Sequence, residues 1–472
     1  MLRILKWIFL IWLGLSVLSA PIWGRLAHQV WVYNPMIMPS PPDEPADKSE
    51  ARAQDIDYLR ELLNYDRSFS DAAKEAFTTS LDTLDTTAAG MSDPAFYLAV
   101  SKAVALADNG HTNASIWPVA SEFNAIGVKF YWFEDGLYIV RAHSEYADII
   151  GTRLVAIGGM PIEDVANKLK IYRGGNDPWR RHFIPAMIES PDILYAAGIT
   201  NSSETVTFSL EMENGDIKDV RFPGFLPATV DEARYRDPSQ TLWPQPLENE
   251  NENWQWTLNF DNGNTPLYLS DPGTPTYTSL PDNGLYIRTQ GGFGTAEQSI
   301  QDFFKEALSE TEDGSLDYLV VDFRTNDGGD YTRSIDFAKT APTKIKDGGR
   351  LYLLVGPETF SAAIVTVAML KYYGAEKSII VGSPMGDRPQ FWAETGRTFR
   401  LPNSGYRINY ATGYHDWENG CEGIKYCFTQ NLIHGVPAGS LEPRMQIWPT
   451  YADYATGQDI VMDWVISDQA AR

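Results

Sequence analysis

The chain has 472 residues, of which 43% are hydrophobic and 21% charged, and its net charge at pH 7 is −24. Single hydrophobic cores stop growing well short of this length, so several domains are expected. The acidic excess excludes a protein that neutralises a row of nucleic-acid phosphates. Two cysteines, Cys421 and Cys427, exclude a disulfide scaffold and a four-cysteine metal site, although they could close a small loop in an oxidising compartment.

Residues 1–25 have the pattern of an export segment. Arg3 and Lys6 precede an uncharged apolar run over residues 7–24. This run resembles the apolar region of a signal peptide and also approaches the length of a membrane span. A removed signal peptide and a retained membrane anchor therefore both stay open. In either case the positive flank stays inside, and the body is exported to a periplasmic or other extracytoplasmic location.

The next two segments are a linker and a group of helices. Residues 26–53 carry prolines among charged residues and are predicted to be a linker. Apolar residues at helical spacing then predict three helices within a cap over residues 54–117. The third begins at Ser92, a residue type that favours the helix N-cap position. His111 follows the end of this helix.

The middle of the chain is predicted to be rich in strands. Period-two alternation from residue 126, a Gly-Gly turn and a helix predict a β-containing module over residues 122–175. Strand-like stretches near 205–210 and 254–260 flank a region rich in proline and asparagine. They predict a β-rich insert over residues 185–280.

Residues 281–466 are predicted to form an α/β core. Short apolar strands at 316–323, 351–355 and 378–381 alternate with helical segments, which is typical of a largely parallel sheet with covered faces. Ligands bind outside the carboxyl ends of such strands. The loop holding Gly328 and the turn holding Ser361 are therefore expected at one edge of this sheet.

The turn at Ser361 has the features that acyl transfer needs. A serine there precedes a helix, where the N–H of Ala362 has no partner inside the helix and could stabilise an oxyanion. Gly328 or Gly329 could supply a second N–H, since glycine lets the backbone approach closely. Taken alone, these residues are explained as well by a helix cap and a tight turn.

Three short motifs change that balance. The segment LVVDFRTNDGG at 319–329 resembles the D-x-R-x-N-x-G-G signature of the tail-specific (C-terminal processing) and tricorn-core serine peptidases. The segment TFSAA at 359–363 resembles the nucleophile turn of that family, and DNGHT at 108–112 resembles its D-G-H-T element. Residues 127–165 are similar to its PDZ-type module.

The resemblance implies a multidomain α/β protein with a ClpP/crotonase-like catalytic core over residues 281–466. It also implies that the helical cap, a PDZ-like domain at 122–175 and the β-rich insert surround this core. By the same resemblance, Ser361 of this chain would be the nucleophile, and the N–H groups of Ala362 and of Gly328 or Gly329 would form the oxyanion hole.

The resemblance leaves the base to be decided between two branches. The tail-specific branch uses a lysine in the segment where this chain has Asp387, so a serine–lysine dyad is expected to be absent. The tricorn-like branch uses a histidine from the helical region, and His111 stands at the matching position. Histidine titrates near neutral pH and can take and return a proton. The chain therefore resembles the tricorn-like branch more closely.

Two positions depart from the tricorn-like pattern. Gly110 stands where that pattern has a serine, and Pro437 stands where it has a supporting glutamate. Glu418 and Asp108 are therefore the candidate carboxylates for orienting His111.

The sequence predicts a serine-type endopeptidase that works through an acyl-enzyme. Its expected partner is a polypeptide whose C-terminus is held by the PDZ-like module. The pattern implies no cofactor, metal or nucleic acid. Two alternatives stay open: an inactive relative that binds peptides or small hydrophobic molecules, and an esterase on the same core.

Overall fold

The computed structural model describes residues 24, 32–34, 37–225, 238–246, 253–258, 265–270, 273–394 and 396–472. Apart from Gly24, the predicted signal peptide or anchor at 1–25 lies outside these residues, so it stays a prediction. Within the described ranges, no helix is both long and apolar enough to cross a bilayer.

The chain alternates between short helices and short strands. Its strands are β1 Asn113–Ala114, β2 Val128–Phe133, β3 Gly136–His143, β4 Arg153–Ile157, β5 Met160–Pro161, β6 Thr205–Glu211, β7 Ile217–Pro223, β8 Trp254–Trp256, β9 Thr276–Leu280, β10 Gly284–Arg288, β11 Leu316–Asp322, β12 Ile345–Val355, β13 Ser378–Gly382, β14 Gln390–Ala393, β15 Phe399–Arg400, β16 Arg407–Asn409, β17 Gly413–Asp416 and β18 Met445–Gln446. Its α-helices are α1 Lys48–Arg60, α2 Asp71–Thr87, α3 Asp93–Ala105, α4 Trp117–Ser121, α5 Ile162–Leu169, α6 Asp177–His182, α7 Ile184–Ile188, α8 Pro191–Ala196, α9 Pro238–Thr241, α10 Ile300–Ala307, α11 Ile335–Thr340, α12 Ala362–Gly374, α13 Thr429–His434, α14 Tyr451–Ala455 and α15 Ile460–Ala470. These elements confirm the prediction of an α/β protein with several sheets.

The N-terminal helices begin where the sequence offers a cap. The Ser92 side chain accepts a hydrogen bond from Ala95 N–H and starts α3, as its N-cap residue type predicts. Asp47 caps α1 in the same way by accepting from Glu50 N–H. Helix α1 therefore begins inside the stretch that was predicted to be linker.

The largest sheet joins two regions that the sequence had separated. Its strand order is β2-β3-β4-β6-β7, with β5 paired to β4 and β8 paired to β3. Strands β4 and β6 pair antiparallel, with Leu154 opposite Leu210. Strands from the predicted PDZ-like module and from the predicted β-rich insert thus belong to one sheet.

One hydrophobic core connects this sheet to the helical cap. Phe96 of α3, Phe208 of β6 and Ile408 of β16 are buried in the same cluster. Strand β16 also pairs antiparallel with β1, so the C-terminal region contributes to the cap. Burial of these side chains stabilises the cap against the sheet, which brings the residues after α3 close to the C-terminal core.

The second large sheet forms the C-terminal core. Its order is β18-β13-β12-β11-β10-β9, and all neighbouring pairs except β10 and β9 run parallel. Leu319 and Val321 face the cluster containing α12, whereas Tyr318 and Val320 face the cluster containing α15. Both faces of β11 are therefore covered, which explains why its sequence reads as a continuous apolar run.

Candidate active site

Two loops meet at the carboxyl edge of the parallel sheet, as the sequence predicted. One follows β11 and the other follows the neighbouring strand β12. Phe360 N–H donates to the Asn326 carbonyl at 3.1 Å, which links the loops. The Asn326 side chain accepts from Gly328 N–H at 3.0 Å and donates to Thr289 Oγ1 at 2.8 Å. The asparagine of the motif thus sets the path of the Gly328–Gly329 segment.

Ser361 has a backbone conformation that occurs in neither a regular strand nor a right-handed helix. Its φ is 54° and its ψ is −122°. Such a conformation is costly for a non-glycine residue and persists only where the surroundings impose it. The Ser361 side chain makes no capping hydrogen bond to α12. The helix-cap explanation for this serine therefore does not describe its side chain.

The Ser361 hydroxyl instead contacts His111. Its Oγ lies 2.9 Å from Nε2 of the ring, although the two residues are 250 positions apart. A hydrogen bond of this length places the ring nitrogen where it can take the hydroxyl proton. The structure therefore brings together the two residues that the motifs predicted to meet.

Aromatic side chains fix the plane of the His111 ring. Phe360 stacks on one side with centroids 4.4 Å apart, and Phe391 of β14 stacks at 5.3 Å. Trp179 of α6 lies parallel to Phe360 at 3.8 Å, so the stack extends into the neighbouring helices. Rings packed in this way have little freedom to rotate, which keeps Nε2 directed at Ser361.

The carboxylate beside His111 is Asp387, in the loop after β13. Its Oδ2 lies 3.5 Å from Nδ1 of His111, and its side chain is 2% exposed. Its Oδ1 accepts a hydrogen bond from Arg388 N–H at 2.8 Å. Among the residues described, Oδ2 of Asp387 and Nδ1 of His111 have no hydrogen-bond partner at this geometry. Asp387 is thus poised to fix the ring with its proton on Nδ1.

The two carboxylates suggested from the sequence have other partners. Asp108 pairs with the guanidinium groups of Arg180 and Arg388 at the surface. Glu418 accepts a hydrogen bond from Gln390 Nε2 at 2.5 Å. In the sequence, Asp387 stands where the tail-specific branch has its lysine, and this gives no indication that the position holds the orienting carboxylate. The neighbouring Arg388 guanidinium points to Asp108.

The backbone N–H groups that could stabilise an oxyanion differ in whether they already have an acceptor. Gly328 N–H already donates to Asn326, whereas in the described part of the chain no acceptor contacts the N–H of Gly329 or of Ala362. A Cβ at Gly328, whose φ is 117°, would lie 2.7 Å from Ser361 Cβ. Gly328 therefore permits the close approach, and Gly329 with Ala362 offers the available N–H groups.

A cavity of about 310 Å³ opens beside these donors. Its walls include Gly329, Ser361, Ala362, Phe391 and His415.

Cys427, which precedes the cavity-lining Phe428, forms a disulfide with Cys421. No group of histidine, cysteine, aspartate or glutamate side chains in the described positions has the arrangement of a metal site.

Comparison with known proteins gives a likeness at the level of structure. No protein-family model and no curated protein match the sequence. Mature CPAF complexed with lactacystin superimposes with a TM-score of 0.55 at 12% identity, covering 89% of this chain and 98% of that one. Mature CPAF gives a TM-score of 0.53 at 12% identity, and the match covers 89% of this chain and 96% of that one. The tricorn protease gives a TM-score of 0.39 at 12% identity, and the match covers 90% of this chain and 37% of that one. The chain therefore shares the fold of mature CPAF over most of its length.

Proposed function

We propose that this chain is a serine-type endopeptidase of the tail-specific and tricorn-like kind, with Ser361 as nucleophile and His111 as general base. The observation that carries the proposal is the 2.9 Å contact between Ser361 Oγ and His111 Nε2. A hydroxyl becomes a useful nucleophile only when a base removes its proton. The CPAF-like fold supports the same class of enzyme.

The first half of the reaction forms an acyl-enzyme. His111 Nε2 takes the Ser361 proton while Oγ attacks the carbonyl carbon of the substrate, and a tetrahedral intermediate forms. The N–H groups of Ala362 and Gly329 stabilise its oxyanion. His111 then gives the proton to the leaving amine, the peptide bond breaks, and an ester joins the acyl group to Ser361.

The second half releases the product. A water molecule gives a proton to His111 Nε2 and attacks the ester carbonyl, and the new intermediate collapses to a carboxylic acid as Ser361 recovers its proton. Asp387 acts at the other ring nitrogen, where it stabilises the imidazolium and holds the tautomer with Nδ1 protonated. The ClpP/crotonase-like core predicted from the sequence is the proposed setting for this chemistry.

We also propose that the substrate is a polypeptide whose C-terminus binds the PDZ-like region by strand addition. The position of β2 at the edge of its sheet supports this mode. Export to an extracytoplasmic compartment is supported by the disulfide between Cys421 and Cys427, because such bonds persist in oxidising surroundings.

A fluorophosphonate probe tests the proposal on the purified chain. Wild-type protein should be labelled at Ser361, and both Ser361→Ala and His111→Ala should lose labelling and peptide turnover while keeping their circular dichroism. Absence of labelling in folded wild-type protein, with a known serine peptidase labelled in parallel, would favour the inactive binding protein. Turnover of esters but not of peptides would favour an esterase.

A further inference from the structure

The cavity beside Ser361 has an apolar wall and a charged end. Phe391, Phe428 and Val365 supply apolar surface next to the nucleophile. Glu394 and His415 also line the cavity, in the connection after β14 and in β17 respectively. A long side chain entering beside Ser361 would therefore meet both aromatic rings and these polar groups.

His415 is a buried polar side chain with unused hydrogen-bonding capacity. It is 1% exposed, and its ring stacks on Phe391 with centroids 4.9 Å apart. Among the described residues, neither of its ring nitrogens makes a hydrogen bond, although Nε2 lies 3.3 Å from Glu394 Oε1. Burial lowers the pKa of His415 from its ordinary value, so the ring is neutral near pH 7 and does not neutralise Glu394.

Among the described residues, the Glu394 carboxylate pairs with no lysine or arginine. Its side chain is about one-third exposed toward the cavity, and His415 is its ion-pair partner among the described residues. The other acidic residue lining the cavity, Asp330, pairs with Arg333 Nε at 3.2 Å and accepts hydrogen bonds from Thr332. The charge available to a ligand at this end is therefore that of Glu394.

We infer that this cavity binds the side chain of the residue whose carbonyl Ser361 attacks, and that Glu394 selects lysine or arginine there. The inference rests on the proposed function, because Gly329 and Ala362 line the cavity and also hold the oxyanion. The methylene stem of a basic side chain packs against Phe391 and Phe428, and its charged head meets Glu394.

Other side chains fit this environment less well. A purely apolar side chain would cover the Glu394 carboxylate and the His415 nitrogens without supplying a hydrogen-bond donor, and buried groups left unpaired are costly. An acidic side chain would place like charges side by side. The preference therefore follows from what the cavity leaves unsatisfied and from its apolar wall.

Four fluorogenic peptides that differ only in the residue before the scissile bond test the inference. They carry lysine, arginine, norleucine, which has an uncharged stem of similar length, or glutamate. For wild-type protein, kcat/KM for lysine and arginine should exceed that for norleucine by about tenfold or more, with glutamate the poorest substrate. In Glu394→Gln the ratio of lysine to norleucine should fall by about tenfold, and in the control Glu442→Gln, a surface position, it should stay at the wild-type value.

The outcomes separate this inference from the proposed function. If the probe labels Ser361 but norleucine is cleaved as well as lysine, the selectivity fails and the peptidase proposal stands. If folded wild-type protein is neither labelled nor active on any of the four peptides, both fail. The wild-type panel is decisive by itself, so the result does not depend on Glu394→Gln folding.

Discussion

The Oδ2 atom of Asp387 lies 3.5 Å from Nδ1 of His111, while the other ring nitrogen lies 2.9 Å from Ser361 Oγ. The three residues come from separate parts of the chain: the end of the helical cap, the turn after β12 and the loop after β13. A spacing of 3.5 Å is longer than a good hydrogen bond, and such contacts often tighten when substrate binds. Asp387 therefore has the position of an orienting carboxylate.

Replacing Asp387 by asparagine should lower kcat strongly without unfolding the chain. An amide cannot stabilise the imidazolium, and it can favour the tautomer with the proton on Nε2, which cannot accept the Ser361 proton. The expected loss in kcat is about 10²–10⁴-fold. The measurement is kcat in steady-state peptide hydrolysis, with circular dichroism as the check on folding.

Glu418→Gln is the matched control, because Glu418 is a carboxylate near the site whose partner is Gln390 and not His111. It should keep kcat within about threefold of wild type. A loss in this control equal to that in Asp387→Asn would remove the special role of Asp387.

The motifs predicted the pair Ser361 and His111 but not its carboxylate. Short sequence signatures predict the local turn that places Ser361, and the order of the motifs along the chain indicates which histidine lies near that serine. The direction of a side chain in a loop depends on tertiary contacts instead. Arg388 turns toward Asp108 and leaves the Asp387 carboxylate facing the ring. Neither direction can be read from two adjacent letters.

The fold shows the same division between local and long-range information. The sequence predicts β4 as a strand before a Gly-Gly turn, β6 as a strand-like stretch near 205–210, and helix α3 from its N-cap. The pairing of β4 with β6 was not predicted, because residues 158–204 separate them and include four helices. Period and capping are local signals, whereas strand partners are set by the core that both strands cover.

Gly328→Ala should nearly abolish activity because of crowding at the nucleophile. The added Cβ would lie 2.7 Å from Ser361 Cβ and 3.0 Å from the Phe360 carbonyl oxygen. The Ser361 turn would have to move, and misplacement of reacting groups by about 1 Å can cost about 10²-fold in rate. The assay is kcat/KM for a peptide substrate together with the rate of probe labelling.

Gly314→Ala is the control for backbone strain. Gly314 also has a positive φ, 70°, but an added Cβ there would have nothing within 4 Å. This variant should lose some stability and keep its kcat/KM. If both variants lose activity equally at a temperature where both are folded, crowding of Ser361 is not the cause.

Gly110→Ala should reduce kcat by disturbing the ring stack around His111. The new Cβ would lie 2.8 Å from Phe360 Cε2 and 3.3 Å from Asp387 Oδ2. Phe360 is confined on its other face by Trp179, so it cannot move away without disturbing the stack. The expected fall in kcat is about tenfold or more, with a smaller change in KM. Gly90→Ala, on an exposed turn with open space around it, should match wild type; an equal effect in both variants would contradict the packing argument.

His182 should make the protein less stable as the pH falls below neutral. Burial, with a further contribution from the charge of Arg173, lowers the pKa of His182 from 6.5 to about 3. The unfolded chain binds a proton at this histidine below about pH 6.5, whereas the native chain does not until near pH 3. As the pH falls from about 6.5 toward 3, the free energy of unfolding therefore decreases by about 1.4 kcal/mol for each pH unit. Above the pKa of the unfolded chain, His182 has no such effect on stability.

His182→Gln removes the titrating group and should flatten this part of the pH dependence. Urea unfolding of both proteins, followed by tryptophan fluorescence at pH 7.5 and pH 5.5, measures the difference. The wild type should lose about 1.4 kcal/mol more than the variant between the two pH values. The variant should be less stable at both pH values, because glutamine replaces a buried ring, and this offset cancels in the comparison. Parallel losses in the two proteins would show that His182 takes up its proton equally in the native and unfolded chains.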